Sequence, residues 1–455
     1  MKITKSKLGT VLSTLSVGAA LTVAPSASAS ASASASASAS ASAAVEPTVT
    51  TGAMFNNPSG VAAGTAESAP DDAVRLAETR IKRHLLELIS GAAEGSYIRI
   101  SVYLHWDAEV TRALVAAHER GVNVQVIVGD DRYSAVANLK AGLAKTAAPY
   151  SWIRACKTVT RPDATVVHDA CLAKDAAVPR DNVNHQKFFL FSRTKGTGDV
   201  YVDDVVVQSS GNLTSADYTK WWNDALTVVG NTALHQAYQT YFDTQAAAAA
   251  GGPQTSNATD ASAGAAKVYF FPKSGDDTVV NILKTVIPAG TATPCGGNTA
   301  VGIGTKDGRT KIRIAQGHIT RTEVAKQLWE LAEAGCHIEI VHRSLDNWDK
   351  EGNPYSQVSP WLTRPTTGKG RIILHDLAND ERDGTDTHTK YLLIEGTYYN
   401  GPNKRIVFTG SHTYTENALR YNDEALLKYE DPAVFAAYLQ NFEDQRAASL
   451  AEREL

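Results

Sequence analysis

Apolar and polar positions along this chain follow two alternating periods. YIRISV (Tyr97–Val102) and VNVQVIV (122–128) put β-branched and apolar residues at every second place, the pattern of a strand. Between them VTRALVAAHER (110–120) repeats its apolar residues at helical spacing, and Gly121 stands where a helix C-cap glycine belongs. The succession returns later as KIRIA (311–315), RTEVAKQLWELAEA (321–334), Gly335 and the strand CHIEIV (336–341). Strand and helix alternate in both places, which predicts an α/β fold with mixed sheets covered by helices.

The echo has a period of about 200 residues, the mark of an internal duplication. MFNNPSG (54–60) returns as YFFPKSG (269–275), and TVVHDA (165–170) as IILHDL (372–377). NHQKFFLFS (184–192) returns as THTKYLLIE (387–395), VQSSGNLT (207–214) as FTGSHTYT (408–415), and WWNDAL (221–226) as YNDEAL (421–426). Each copy then runs into a helical pattern, ALHQAYQTYFDTQ or AVFAAYLQNFEDQ. Residues 247–266 are rich in Gly, Pro, Ser and Ala and read as a linker. The expected organisation is two similar α/β/α sandwich halves with mixed sheets, residues 52–246 and 267–455, joined by that linker.

Composition adds the cellular context. Lys2, Lys5 and Lys7 precede the apolar run LGTVLSTLSVGAALTVA, and the small residues Ala24, Ala27 and Ala29 follow it, so residues 1–29 read as a secretory signal peptide. The Ser/Ala repeat that follows has no large apolar surface to bury, and residues 30–51 are expected to be a disordered leader. Four cysteines in an exported chain predict two disulfides. Three pairings are possible, and Cys156–Cys171 with Cys295–Cys336 is the local choice. No C-x-x-C pair points to zinc. The net charge of −4 argues against a dedicated nucleic-acid binder.

The chemistry is carried by the two H-x-K stretches. Residues two apart in a strand share a face, so His185 and Lys187 look out together, as do His388 and Lys390. Both motifs are trailed by a serine-containing turn, Ser209-Ser210-Gly211-Asn212 in one half and Gly410-Ser411-His412-Thr413 in the other. This doubled H-x-K, with its following turn, resembles the phospholipase D superfamily over about residues 52–446.

That resemblance implies a shared active site between the halves and cleavage of a phosphodiester without metal or other cofactor. Lys187 and Lys390, with Ser210, Asn212, Ser411 and Thr413 as further donors, would hold the phosphate oxygens. His185 would attack phosphorus to give a phosphohistidine, and His388 would protonate the leaving alcohol. Asp224 and Glu424, downstream of the two turns, would be the carboxylates that fix the imidazole tautomers. The family's motif Asp is replaced by Ser192 and by Glu395, and the second turn has Thr413 for Asn. His168 and His375 read as structural strand-end residues.

The expected activity is a secreted phospholipase D that hydrolyses or transphosphatidylates glycerophospholipids at a membrane or micelle surface. Trp221, Trp222, Trp348 and Trp361 are candidate lipid-facing aromatics. The alternatives are a secreted nuclease of the same superfamily, for which RPTTGKGR (364–371) is the best basic track, and a degenerate lipid-binding module. No protein partner is implied, and a monomer is expected because one chain supplies both halves.

Overall fold

A computed structural model describes residues 48–453 apart from 59–70, 146–147, 157, 161–165, 169, 173–181, 254–258, 288–294, 349–350, 369, 379–384 and 400. The expected signal peptide and most of the expected leader lie outside the described residues. Val49, placed in that leader by sequence, is instead buried in the core of the first half.

The first half runs β1 (Gly52–Asn56), α1 (Asp71–Glu78), α2 (Arg80–Ser90), β2 (Tyr97–Val102), α3 (Ala108–Glu119), β3 (Asn123–Val128), α4 (Ser134–Leu143), β4 (Trp152–Ala155), β5 (Thr158–Thr160), β6 (Val166–His168), β7 (Lys187–Thr194), β8 (Val202–Ser209), α5 (Ser215–Thr219), β9 (Trp221–Val228) and α6 (Thr232–Ala249). The second runs β10 (Ala261–Ala263), β11 (Ala266–Phe271), α7 (Thr278–Lys284), β12 (Lys311–His318), α8 (Thr322–Glu333), β13 (His337–Ser344), β14 (Asn347–Trp348), β15 (Pro354–Tyr355), α9 (Ser359–Leu362), β16 (Arg371–Asp376), β17 (Asp386–Thr387), β18 (Lys390–Tyr398), β19 (Gly401–Gly410), α10 (Glu416–Arg420), β20 (Glu424–Tyr429) and α11 (Pro432–Arg453). The linker is shorter than its composition suggests. α6 continues to Ala249, and β10 pairs antiparallel with β11.

Each half builds one large mixed sheet. The first is ordered β1-β9-β8-β7-β2-β3-β4 and the second β10-β11-β20-β19-β18-β12-β13-β16. β2 and β3 run parallel, as do β12 and β13, and the H-x-K strands β7 and β18 lie antiparallel to β2 and β12.

The run Phe188–Phe191 is apolar throughout because both faces of β7 are buried. Phe189 and Phe191 pack outward against α2, α3 and α4, with Leu85, Leu114 and Leu139 in that layer. Phe188 and Leu190 pack inward on Tyr238 and Phe242 of α6. The same inner core takes in Leu393 and Val407 of the second sheet with Tyr438 and Phe442 of α11. The two terminal helices thus lie within one core shared by both sheets, while α7 and α8 cover the second sheet's outer face. The disulfides are Cys156–Cys171 and Cys295–Cys336, each within one half.

Candidate active site

The two H-x-K segments do not stay with their own halves. Before β7 begins, Asn184 forms a parallel bridge with Asp423, and the His185 amide donates to the Asp423 carbonyl at 3.0 Å. Before β18 begins, β17 pairs with β9, and the His388 amide donates to the Trp222 carbonyl at 2.9 Å. Each histidine is therefore pinned to the last strand of the opposite half. Both rings sit where the halves meet, with side chains 17% and 12% exposed.

The lysines curl back in the same way. Lys187 Nζ donates to the His185 carbonyl at 2.8 Å, and Lys390 Nζ to the His388 carbonyl at 2.6 Å. Each ammonium has three donors, so these bonds leave further N–H groups for an anion. Burial pushes Lys187 down to about 7 and Lys390 to about 8, with nearby carboxylates pulling the other way. Burial, then the charge of the lysines, holds both imidazoles far below their ordinary range, so both rings are neutral. An arriving phosphodiester brings negative charge beside the lysines. That charge raises the proton affinity of the imidazoles and lets one of them carry a proton.

The supports behind the rings differ. His185 Nδ1 lies 2.8 Å from Glu424 Oε1. His388 Nδ1 lies 2.9 Å from Asn223 Oδ1 and 3.5 Å from Asp217 Oδ1. Asn223 Nδ2 donates to the Asp217 carbonyl at 2.9 Å, and Ser210 Oγ donates to Asn223 Oδ1 at 3.0 Å. The amide oxygen thus faces the ring, and the proton of neutral His388 belongs on Nδ1. With Glu424 ionised, both rings are fixed with the lone pair on Nε2. Burial pushes Glu424 up to about 8, against the pull of Lys187.

Asp224 is not the second carboxylate. The strand registers pair Ser209 with Ala225 and Gly410 with Leu426, which makes Asn223 the counterpart of Glu424 and Asp224 the counterpart of Ala425. Lining up the two Ala-Leu pairs by sequence is one residue out of step, and a one-residue step in a strand turns the side chain to the other face. Asp224 accordingly points away from the site. It accepts bonds from Thr409 and Tyr438 of the second half and clasps the two sheets together.

The serines of the two turns are also committed. Ser210 donates to Asn223, and Ser411 Oγ accepts from the Ala425 amide while its hydroxyl favours ionised Glu424. They hold the groups that hold the histidines rather than presenting free hydroxyls. Asn212 donates to Asp217 through Nδ2 at 3.3 Å, and Thr413 shares a bond with Thr415 at 3.0 Å. The replaced motif Asp positions lie at the far ends of the strands. Ser192 Oγ accepts from the Tyr97 amide, and buried Glu395 pairs with Arg313 at 2.9 Å. His375 is buried 3.5 Å from Glu339, and the His168 side chain lies outside the described ones.

Of the other site neighbours, Trp221 is one of the candidate aromatics, while Tyr103 and Arg343 give no signal in sequence. The Tyr103 ring lies 5.6 Å from His185, and Trp221 stacks on His388 at 4.9 Å. Arg343 pairs with Asp386, next but one to His388, at 2.9 Å. Of the other candidate aromatics, Trp222 is core, Trp361 packs against the core of the second half, and Trp348 is 68% exposed. Trp106, 44% exposed, follows β2 at the site end of the first sheet.

A sequence model of the PLD-like domain of the cardiolipin synthase type matches residues 85–245 and 306–446, well over half of the chain. No curated protein matches the sequence. Among solved structures, phosphatidylserine synthase of Haemophilus influenzae superposes with a TM-score of 0.50 at 14% identity, over 81% of this chain and 84% of that one. Polyphosphate kinase of Porphyromonas gingivalis gives 0.49 at 16% identity over 81% of this chain, which spans only 48% of that kinase. Nuc of Salmonella typhimurium, a phospholipase D family member, gives 0.26 at 19% identity over 44% of this chain and 94% of its own.

Proposed function

Because this chain belongs to the phospholipase D-like family, whose members act on phosphodiesters, we propose that it is a secreted phospholipase D acting on glycerophospholipids. The observation that carries the reading is the crossed pinning of His185 and His388, each held by the other half. Two imidazoles fixed with Nε2 free, between two lysines, are equipped for a two-step displacement at phosphorus. His185 Nε2 forms the N–P bond as the P–O bond to the leaving alcohol breaks, and protonated His388 gives its proton to that oxygen. Water then attacks phosphorus, His388 takes the water proton, and the N–P bond breaks. The nucleophile role goes to His185 because N-phosphorylation leaves the ring cationic, and Glu424 is the carboxylate that stabilises such a cation.

Lipid is favoured over nucleic acid by what surrounds the cleft. Trp106 and Trp348 stand exposed after β2 and β13, at the strand ends that carry the site. Arg364 and Arg371, the two ends of the basic stretch, lie elsewhere. Arg364 packs 4.2 Å over Trp329 of α8, and Arg371 opens β16 at the opposite end of the sheet. The two disulfides accord with an oxidising, extracellular setting. Among the described residues no helix is long and apolar enough to cross a membrane.

The test is an alkaline quench of the enzyme during turnover of phosphatidylcholine labelled in its phosphate, followed by peptide mapping. Label on the peptide carrying His185, absent from His185→Ala, is expected. Label on His388 would reverse the roles. Absence of any adduct together with absence of lipid turnover, or cleavage of plasmid DNA alone, would refute the lipid reading.

A further inference from the structure

The two sides of the cleft are not equivalent. Register pairs Val102 with Lys187 and Gln316 with Lys390, so Tyr103 and Gly317 occupy matching places. Val128 pairs with Val102 and His342 with Gln316, so Gly129 and Arg343 match as well. On the His185 side the pair is tyrosine and glycine, and on the His388 side glycine and arginine. The exchange is sterically enforced in the first half. A Cβ on Gly129 would stand 2.6 Å from the Tyr103 ring and 2.7 Å from the Asn184 carbonyl, so no side chain fits there while Tyr103 is in place.

On the second side the Arg343 guanidinium lies 5.6 Å from the centroid of Trp221, the ring that stacks on His388. Asp386 engages its Nε at 2.9 Å, and the side chain stays 31% exposed. Its charge still reaches inward, lowering the proton affinity of His388, Lys390 and His318. Displacement at phosphorus puts the leaving oxygen opposite the attacking nitrogen. With His185 as nucleophile, the His388 side is where the leaving alcohol sits.

We propose that Arg343, braced by Asp386 and Trp221, is a subsite for an anionic group on the leaving alcohol, so that the enzyme prefers phospholipids whose headgroup carries a carboxylate or a second phosphate. This rests on the phosphodiesterase reading above. A single arginine beside half-buried Trp221 suits one headgroup anion, whereas a polynucleotide presents a row of phosphates and calls for a basic track.

Phosphatidylserine and phosphatidylethanolamine differ by one carboxylate, which makes them the diagnostic pair. The wild-type ratio of kcat/KM for the serine over the ethanolamine lipid, in mixed micelles, is expected to be at least about tenfold. Arg343→Gln brings the ratio near one, and Arg343→Lys keeps a preference because the charge remains. A ratio unchanged in Arg343→Gln, or near one in the wild type, overturns the subsite. A second arm needs no turnover: calorimetric binding of O-phosphoserine against O-phosphoethanolamine to the wild type and Arg343→Gln. Loss of catalysis with the phosphoserine preference intact and dependent on Arg343 leaves the subsite standing while the lipase reading falls. Arg343-dependent cleavage of oligothymidylate in preference to phosphatidylserine would assign the arginine to a nucleic-acid phosphate and overturn the proposal.

Discussion

The two halves share a backbone plan, yet nearly every residue behind their histidines differs. His185 rests on the carboxylate of Glu424, and His388 on the amide of Asn223 with Asp217 a little further off. Asn223 and Glu424 are counterparts, as are Trp222 and Asp423, and Asp224 and Ala425. Duplication therefore supplied two equivalent imidazoles, and on the proposed reading the residues behind them divide the work. A ring that bears phosphorus becomes cationic and, by favouring ionisation of the carboxyl behind it, gains a full negative charge there. A ring that must release a proton gains from a neutral acceptor that fixes its tautomer without holding the proton back.

The largest expected effect tests that division. Glu424→Gln keeps the shape and an acceptor but removes the charge, and it should lower kcat by about 10³-fold, in the range known for carboxylates behind catalytic histidines. Asn223→Ala should cost only about tenfold, because Asp217 remains near His388. Steady-state kinetics on a phosphatidylcholine substrate decides it. Equal losses in the two variants would mean that the histidines are interchangeable and that the comparison has no catalytic content.

Asp224 separates architecture from chemistry. It is a buried acid whose burial favours the neutral form, and it takes bonds from Thr409 and Tyr438 across the boundary between the sheets. Asp224→Ala leaves two buried hydroxyls without an acceptor and should destabilise the fold by about 3 kcal/mol, seen in urea unfolding. Its kcat, measured below the transition, should stay within about twofold of the wild type. A loss of kcat like that of Glu424→Gln would restore the register that the Ala-Leu alignment suggests.

A smaller effect appears in the pH dependence of stability. Burial raises Glu424 to about 8 and Asp423 to about 7, so the folded chain keeps protons that unfolded carboxylates release near pH 4. Stability from these groups is complete at acid pH and falls as pH rises to about 8. Lys187 and Lys390 are lowered to about 7 and about 8, so the unfolded lysines hold more protons than the folded ones above those values. Their contribution grows with pH up to the ordinary lysine value near 10. The melting temperature should pass through a minimum near pH 7–8, read by scanning calorimetry between about pH 6.5 and 10, above the range in which the buried neutral imidazoles act in the opposite sense. Glu424→Gln should flatten the falling limb, whereas Asn223→Ala should leave it. A maximum where the minimum is expected would contradict the burial argument.

The sequence carried the architecture because each element is locally consistent. The β-branched period of β2 and β3, the caps at Gly121 and Gly335, and the repeat itself all survive in the structure. It carried the imidazoles and the lysines because H-x-K is spaced to put both on one face. It did not carry Asn223, Asp217, Tyr103 or Arg343, because no local pattern marks a residue that acts across the boundary between two sheets. The Asp224 assignment failed for a definite reason. Two Ala-Leu pairs one place apart in register look identical as letters and point opposite ways as strands. The counterpart of Glu424 is an amide, so a search for a second acid could only stop on the wrong neighbour.

The smallest effect concerns the motif Asp that both halves lack. Ser192 is five places beyond Lys187 along β7, about 16 Å at strand spacing, and its hydroxyl accepts the Tyr97 amide at the start of β2. Glu395 does the matching work in the second half by pairing with Arg313. Both places therefore tie the far end of a central strand to its neighbour. Restoring the family residue with Ser192→Asp keeps an acceptor for Tyr97 and sets a charge in a half-buried spot on the face that carries Arg99, the register counterpart of Arg313. The expected result is a change of at most about 1 kcal/mol in stability and a kcat within about twofold of the wild type. A several-fold rise in kcat would show that the position reaches the site through the strand, and that the departures at 192 and 395 had weakened the chemistry after all.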